Sequence, residues 1–558
     1  MTDDFTPGAD ELLFLPLGGT GEIGMNLNLY GHAGKWLMVD LGVTFGEESL
    51  PGIDVVMADP QFILERRDQL AGLVLTHAHE DHIGAVPYLW PELGCPIYAT
   101  PFTAALLRRK FADDDMEDPP EITVVPMSGT FSVGPFEIEL VTLTHSIPEP
   151  NAVVLRTPPG TVLHTGDWKL DPDPLVGDDY DAQRLREIAE EGVLAMVCDS
   201  TNALVEGESG SELDAREGLQ ALIAEQTGRV AVACFASNVA RLESIMRVAE
   251  ACGRRVSLIG RSMHRIVASA REAGYLRDIP ALIDPEDIGY LPRDEVLLLC
   301  TGSQGETRAA LWRIAQNNHP DITLEADDTV VFSSRVIPGN EKGIFALYNA
   351  LIAAEVTVYS DDACDLTLHV SGHPCRGELA QMYQWVRPKV SIPVHGERRH
   401  LAAHAELARR CQVPEAIVSG NGDLIRLAPG KAEIVATVET GRLLVDGDIV
   451  RRSDSPALKN RRRMAYSGSA VVTAVFDGDG AQRGAPRLLA GNLLEAEEDE
   501  DIAEAVLAAV QVALGRLGRQ ARRDPKAVGE AMRLAARRTI TRLTGRRAIV
   551  EAQPIFLD

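Results

Sequence analysis

Residues Thr76-His77-Ala78-His79-Glu80-Asp81-His82 directly follow the apolar run Leu73-Val74-Leu75. Three histidines and an aspartate within six consecutive positions constrain the chain more than any other feature. A strand has to end here and leave these side chains free to converge. His77 and His79, two apart, reach one ion from the turn that ends the strand. Asp81 and His82 follow where the chain turns towards a helix, so they address a second ion. Neutral imidazole and carboxylate suit zinc or another divalent metal of similar size. A solvated polar loop competes with this, but four ligand-type side chains at a strand end have little structural use.

The same layout recurs along the chain. The alternating stretch Phe131 to Leu143 ends at Thr144-His145-Ser146, and Thr161 to His164 ends at Thr165-Gly166-Asp167. Val193 to Val197 ends at Cys198-Asp199-Ser200-Thr201-Asn202. Ligand types return late, in Leu368-His369-Val370-Ser371-Gly372-His373 and Ile392-Pro393-Val394-His395-Gly396-Glu397. Strand ends so marked place His77, His79 and His145 on one ion and Asp81, His82 and His395 on another, with Asp167 able to bridge them. Two ions held close together activate water near neutral pH and clamp the oxygens of an in-line displacement. A single distant histidine is more often structural; His145 and His395 gain weight because each ends an apolar strand.

A chain of 558 residues has room for three or four domains. Hydrophobic and charged fractions of 45% and 24% are those of a soluble globular protein. No apolar run approaches the roughly 18–20 residues of a membrane helix, so no membrane association is expected. Met1-Thr2-Asp3-Asp4 lacks the layout of a signal peptide. The eight cysteines are scattered without a C-x-x-C pair, several of them in apolar runs, which fits buried thiols in a reducing cytoplasm. A net charge of −28 excludes coating nucleic acid with the whole surface, but leaves room for a local basic groove.

Gly19 to Gly24 matches the dinucleotide pattern G-x-G-x-x-G, and Asp40 stands near where such a fold puts its ribose carboxylate. Context speaks against it. Met25-Asn26-Leu27-Asn28-Leu29-Tyr30 alternates as a strand and opens no helix. The glycines are expected to shape a turn near the metal site instead. Residues 211 to about 360 alternate helices with buried strands (Val230–Cys234, Val256–Ile259, Val296–Cys300, Thr329–Phe332), the rhythm of a parallel sheet. The small polar loops 235–238, 260–262, 301–306 and 333–335 follow these strands and together predict an anion-facing edge. Because ligand types return after 366, this module reads as an insertion. The expected division is 1–210 and 366–450 for the metal domain, 211–365 for the insert, 451–465 for a basic linker and 466–558 for a terminal domain. Arg451, Arg452, Lys459, Arg461, Arg462 and Arg463 mark the linker.

His77-x-His79-x-Asp81-His82, His145 and Asp167 resemble the metallo-β-lactamase superfamily. Asp199, the 369–373 stretch and His395 resemble the extra motifs of its nucleic-acid-processing β-CASP branch. Gly18–Asn26, Thr76–Gly84, Cys198–Asn202, Phe235–Asn238 and His369–His373 together look like the ribonuclease J family, over nearly the whole chain. The resemblance implies an α/β fold: a metallo-β-lactamase αββα sandwich, an inserted α/β β-CASP domain and a small α+β C-terminal domain. It implies two zinc ions per subunit, with manganese or magnesium as substitutes, and hydrolysis of RNA by 5′→3′ exonuclease and endonuclease action. Asp199 is then expected to hydrogen-bond the site and handle a proton, and His373 to act as general acid or base on the leaving oxygen. Ala236, Ser237 and Asn238 would face His369, Val370, Ser371, Gly372 and His373 across a cleft and cradle a 5′-terminal monophosphate. Single-stranded RNA, a homodimer or homotetramer, and protein partners in RNA decay are implied too. Related proteins place a structural calcium near the loop matching Glu47-Glu48 and Asp446; a surface acidic loop competes with that. Three rival functions stay open: a small-molecule metallo-hydrolase, which has no use for the insert; a β-CASP DNA nuclease, since no reader of the 2′-OH is visible; and an RNA-binding scaffold with a dead site.

Overall fold

The structure is a computed structural model in which residues 5–46, 49–495 and 499–557 are described. Met1 to Asp4, Glu47-Glu48 of the calcium expectation and part of the acidic 495–501 stretch lie outside those residues. The chain divides into two compact units, Met1–Thr44 with Met57–Gly441 and Phe45–Val56 with Arg442–Asp558.

The first unit is built on side-chain alternation. In strand Asn151–Thr157, Val153 and Leu155 point to one core while Ala152 and Val154 point to another. Successive strand side chains face opposite ways, so a strand apolar at every position must be covered on both faces. Val153 and Leu155 meet Leu37, Val39 and Val74 of a second sheet. Ala152 and Val154 meet Leu185 and Ile188 of helix Ala182–Glu191 and Leu379, Met382 and Val386 of helix Arg376–Val386. Across the sandwich, Trp36 turns outward onto Phe62, ring centroids 5.4 Å apart. The result is two sheets face to face, of eight and seven strands, with helices outside.

In the seven-stranded sheet, Gly160–His164, Ala195–Asp199 and Val390–Val394 lie side by side and parallel, with Asp199 opposite Val394. The inserted module lies within the chain between the last two, ahead of helix Arg376–Val386. Its five strands are all parallel, in the order Arg255–Ile259, Val296–Cys300, Val230–Ala233, Thr329–Phe332, Thr357–Ser360. The last is an edge strand that sequence patterning does not flag, being only half-buried. Parallel strands put all their C-terminal loops on one edge, which brings 235–238, 260–262, 301–306 and 333–335 together.

The glycine-rich stretch makes no nucleotide site. Thr20–Gly21 pairs with Gly396–Glu397, and the Gly19 carbonyl accepts the His395 N–H at 2.7 Å. All eight cysteines are free, and no helix of the described residues is long and apolar enough to cross a membrane.

The second unit has a three-stranded sheet in the order Arg487–Leu489, Ser469–Phe476, Ile549–Phe556. Ala470, Val472, Ala474 and Phe476 alternate inward against Val506 and Val510 of helix Glu500–Gly515 and Met532 and Ile540 of helix Pro525–Thr544. Over the basic 451–465 stretch, strand Ile449–Arg452 hairpins with Arg442–Asp446, and Pro456–Ser467 is a helix capped by the Ser455 hydroxyl. That hairpin groups with the terminal sheet and helices, the first unit running to Gly441.

Candidate metal centre

Each candidate ligand stands where a strand runs out. His77 follows strand Leu70–Val74, and His79 is the N-cap of the one-turn helix Glu80–Ile83, which turns Asp81 and His82 back towards it. The tight turn needs Gly42: a Cβ there would stand 1.6 Å from the Asp81 carbonyl oxygen. His145 follows Phe136–Thr142, Asp167 follows Gly160–His164, Asp199 closes Ala195–Asp199, and His395 follows Val390–Val394.

The side chains converge. His79 Nδ1 lies 3.1 Å from His77 Nε2 and 3.0 Å from His145 Nε2. Asp167 Oδ2 is 3.1 Å from His82 Nε2, 3.6 Å from His395 Nε2 and 3.8 Å from His77 Nε2. Asp81 Oδ2 is 3.6 Å from His82 Nε2 and 3.5 Å from His395 Nε2. Two ligand sets result, His77/His79/His145/Asp167 and Asp81/His82/Asp167/His395, each with its ligand atoms within 4.8 Å of one another. A third overlapping set joins Asp167 and His395 to Asp199 and His373.

The far side of the imidazoles decides which nitrogen is free. His145 Nδ1 donates to the Gly372 carbonyl, His82 Nδ1 to Asp40 Oδ2 at 2.6 Å, and His395 Nδ1 to Asn26 Oδ1 at 3.0 Å. The Thr76 hydroxyl donates to Asp40 Oδ2 at 2.8 Å, so it accepts the His77 Nδ1 proton at 3.0 Å. The Nε2 atoms of all four rings are thereby turned inward, as around a metal. Burial alone would lower His82, but the carboxylates of Asp167, Asp81 and Asp40 outweigh it and hold it well above the ordinary histidine value. Burial and then the neighbouring imidazoles hold His77 and His145 well below the ordinary histidine range. Burial brings His79 down to about 4 against the pull of Asp81 and Asp167. These three are neutral at physiological pH. For Asp167 burial works the other way, but His395, His82 and His373 outweigh it and hold the carboxyl well below its usual value.

A neutral His79 has one ring proton, so its Nδ1 cannot donate to both His77 Nε2 at 3.1 Å and His145 Nε2 at 3.0 Å, and at least one pair of lone pairs is left face to face. Asp167 Oδ1 and His395 Nε2 are buried with no hydrogen-bond partner. A divalent cation relieves both, and the donor set is of the right chemistry. The residues fit.

Beside the ligands, His373 Nδ1 lies 2.8 Å from Asp199 Oδ2, and Asp199 Oδ1 accepts 2.8 Å bonds from the Thr201 amide and hydroxyl. Burial alone would lower the His373 pKa; the carboxylates of Asp199 and Asp167 outweigh it and lift it to about 9. The His373 side chain is 23% exposed, on the open side of the cluster. Ser371 Oγ accepts from the His373 amide at 3.1 Å and from Asn202 Nδ2 at 2.8 Å. Val370 is buried, and His369 Nδ1 lies 3.3 Å from Arg241 Nη1. Asn238 Oδ1 caps helix Val239–Ala251 through the Arg241 amide at 2.8 Å, and the Ala240 amide reaches the Ser146 carbonyl at 3.4 Å. The 236–238 loop therefore borders the same His145-Ser146 turn that Gly372 touches. No side-chain hydrogen bond links Ala236 or Ser237 to 369–373 among the described residues. Asp446 takes two bonds from Arg461, at 2.7 and 2.8 Å.

Family models match in four places: the metallo-β-lactamase superfamily over residues 24–198, the ribonuclease J β-CASP domain over 227–351, a Zn-dependent metallo-hydrolase RNA specificity domain over 366–414 and the ribonuclease J C-terminal domain over 456–555. A ribonuclease J of Sinorhizobium meliloti is 45% identical over 97% of this chain and 96% of its own length. The chain belongs to the ribonuclease J family. A second ribonuclease J, from Mycolicibacterium smegmatis, is 38% identical over 93% of this chain and 92% of its own. A solved protein of unknown function from Enterococcus faecalis V583 shares the fold, with a TM-score of 0.52 and 15% identity over 75% of this chain and 100% of that one.

For a ribonuclease J family member the informative residues include two that sequence reasoning passed over. Asp40, set aside with the dinucleotide pattern, is fully buried and orients His82 directly and His77 through Thr76. The signal was present, since Asp40 also closes an apolar strand, Lys35–Val39. Asn26 orients His395, and its Nδ2 donates to the Asp81 carbonyl at 3.0 Å. Nothing local marks it, because a buried asparagine just ahead of a strand is as often structural.

Proposed function

We propose that this protein is a ribonuclease that hydrolyses RNA phosphodiesters at a dinuclear zinc site, combining 5′→3′ exonuclease action on 5′-monophosphorylated single-stranded ends with endonuclease cleavage. Membership of the ribonuclease J family and the RNA specificity domain support RNA hydrolysis. The observation that carries the finer proposal is the sharing of Asp167 between two ligand sets, with the Asp199–His373 pair abutting both.

In this proposal His77, His79 and His145 would hold one zinc ion and Asp81, His82 and His395 the other, with Asp167 available to both sets. Bound there, the cations supply Lewis acidity and offset phosphate charge. The residues do the rest. Thr76, Asp40 and Asn26 hold the imidazole planes, so little reorganisation is needed when substrate arrives. Thr201 steers Asp199, which holds His373 by its Nδ1 and leaves Nε2 to give a proton to the leaving 3′-oxygen. Asn202 and Ser371 fix the backbone on which His373 stands. The loop 236–238 and segment 369–373 receive the 5′-phosphate through backbone amides and hydroxyls, a cradle that a triphosphate would crowd. Homodimers or homotetramers, a cytoplasmic setting and protein partners in RNA maturation and decay complete the proposal.

The test is digestion of 5′-end-labelled RNA and a matched DNA, with mono- and triphosphorylated ends, with and without chelator, beside metal analysis of the purified protein. Chelator-sensitive, processive release of nucleotides from monophosphorylated RNA is the expected outcome. Equal exonuclease rates on triphosphorylated ends refute the end preference, equal cleavage of DNA refutes RNA specificity, and fewer than two zinc ions per chain refutes the dinuclear zinc site.

A further inference from the structure

Helix Pro456–Ser467 carries Lys459, Arg461, Arg462 and Arg463 and no acidic residue, in a chain of net charge −28. One face seats it on its own unit. Leu458 is buried, and Arg461 makes its paired bonds to Asp446, a carboxylate that Arg451 also holds at 3.2 Å. At 3.6 residues per turn, Arg462, Tyr466, Lys459 and Arg463 fall within an arc of about 100° on the other side. Lys459 and Arg463 are exposed and Arg462 is half-buried, and none of the three has a carboxylate partner among the described residues. Tyr466 is 76% exposed.

Such a face is not a neutral solution to folding. Like charges four apart, as in Lys459 and Arg463, disfavour a helix, and an aromatic ring left in water contributes no burial. Both features become favourable against one kind of partner: a polyanion that also presents flat rings. We propose that this face, which holds none of the metal-centre residues, is a docking strip for single-stranded RNA. Lys459, Arg462 and Arg463 neutralise phosphates, and Tyr466 stacks on a base one to two turns along, roughly 10 Å from Lys459. This rests on the RNA-directed activity proposed above. An acidic peptide would use the cations and leave the ring idle. An anionic bilayer needs an apolar face beneath the cations, and the opposite face here is occupied by Leu458 and Arg461.

The experiment uses the full chain carrying His373→Ala to suppress cleavage and a 5′-monophosphorylated single-stranded RNA of some thirty nucleotides, with anisotropy measured over a range of salt. The combined Lys459→Ala, Arg462→Ala, Arg463→Ala variant should bind more weakly, with the slope of log affinity against log salt smaller by about 2, near 0.7 for each phosphate no longer neutralised. Tyr466→Ala should weaken binding at least about fivefold while leaving that slope unchanged, and Tyr466→Phe should restore it. Unchanged affinity and slope in the triple variant overturn the strip. Polyglutamate or phosphatidylglycerol vesicles that bind in a Tyr466-independent way, with RNA binding unaltered, assign the face to another anion and overturn it too. A parent protein that binds no RNA overturns the RNA-directed activity and the strip together, which separates the two failures.

Discussion

Asp40 serves two ligands through one carboxylate, accepting from His82 Nδ1 and from the Thr76 hydroxyl, while its other oxygen takes the Thr76 amide at 2.8 Å. Removing it frees two imidazoles to rotate and to exchange tautomers. Asp40→Ala is therefore expected to lower metal affinity by about 10- to 100-fold, read by metal analysis after dialysis against a weak chelator; full retention of metal would refute it. Asn26→Ala acts on His395 alone and should weaken one ion more than the other. His373→Gln should keep the metal content and lose about 10²–10⁴-fold in the rate of cleavage if His373 is the proton donor. The pH behaviour follows from the same pairing. A folded-state pKa of about 9 lies above the ordinary 6.5, so the Asp199–His373 pair stabilises metal-free protein fully below pH 6.5 and loses that contribution as pH rises through about 9. Asp199→Asn should thus destabilise metal-free protein at pH 6 more than at pH 10, measured by thermal unfolding; a constant difference would refute the linkage.

At the scale of elements, segment 369–373 is pinned from two sides. Gly372 sits so close that a Cβ would lie 2.7 Å from His145 Cε1 and 2.8 Å from its Nδ1. Gly372→Ala must displace either the segment or the ligand, so loss of metal from the His77/His79/His145 set is expected. On the other side Arg241, fully buried, pairs with Glu212 at 3.0 Å and donates to Ser333 and to the Leu368 carbonyl at 3.1 Å. It ties the first turn of helix Val239–Ala251 to the approach to His369. Arg241→Met leaves the buried Glu212 carboxylate without its cation and should cost about 3–5 kcal/mol in unfolding free energy, with Glu212→Gln added to the same chain recovering part of it. This level of structure was partly legible beforehand. Apolar runs ended by a ligand residue read correctly as strands, because burial on both faces leaves only one way to satisfy the pattern. The basic 451–465 stretch carries no such pattern, because Leu458 is its only buried apolar side chain.

For the whole molecule, the chain's mass of 60.4 kDa makes the oligomer a simple measurement. Light scattering should return two or four times that value, and a monomer would refute the proposed assembly. Taken alone, the residue order determined that several strands end in metal-type side chains, that residues 211–360 form a buried parallel sheet, and that an alternating strand stands near the start of the terminal domain. Those are local properties, written in period and burial. Only the tertiary structure decided which strand ends meet. Asp199 and His395 are neighbours because Ala195–Asp199 and Val390–Val394 pair in parallel with Asp199 opposite Val394, across an insert that leaves no trace in either strand. Asp40, Asn26 and the Gly372 carbonyl acquire their roles the same way. A hydrogen bond to the back of an imidazole depends on sheet order and register, and neither is encoded in the few residues that make it.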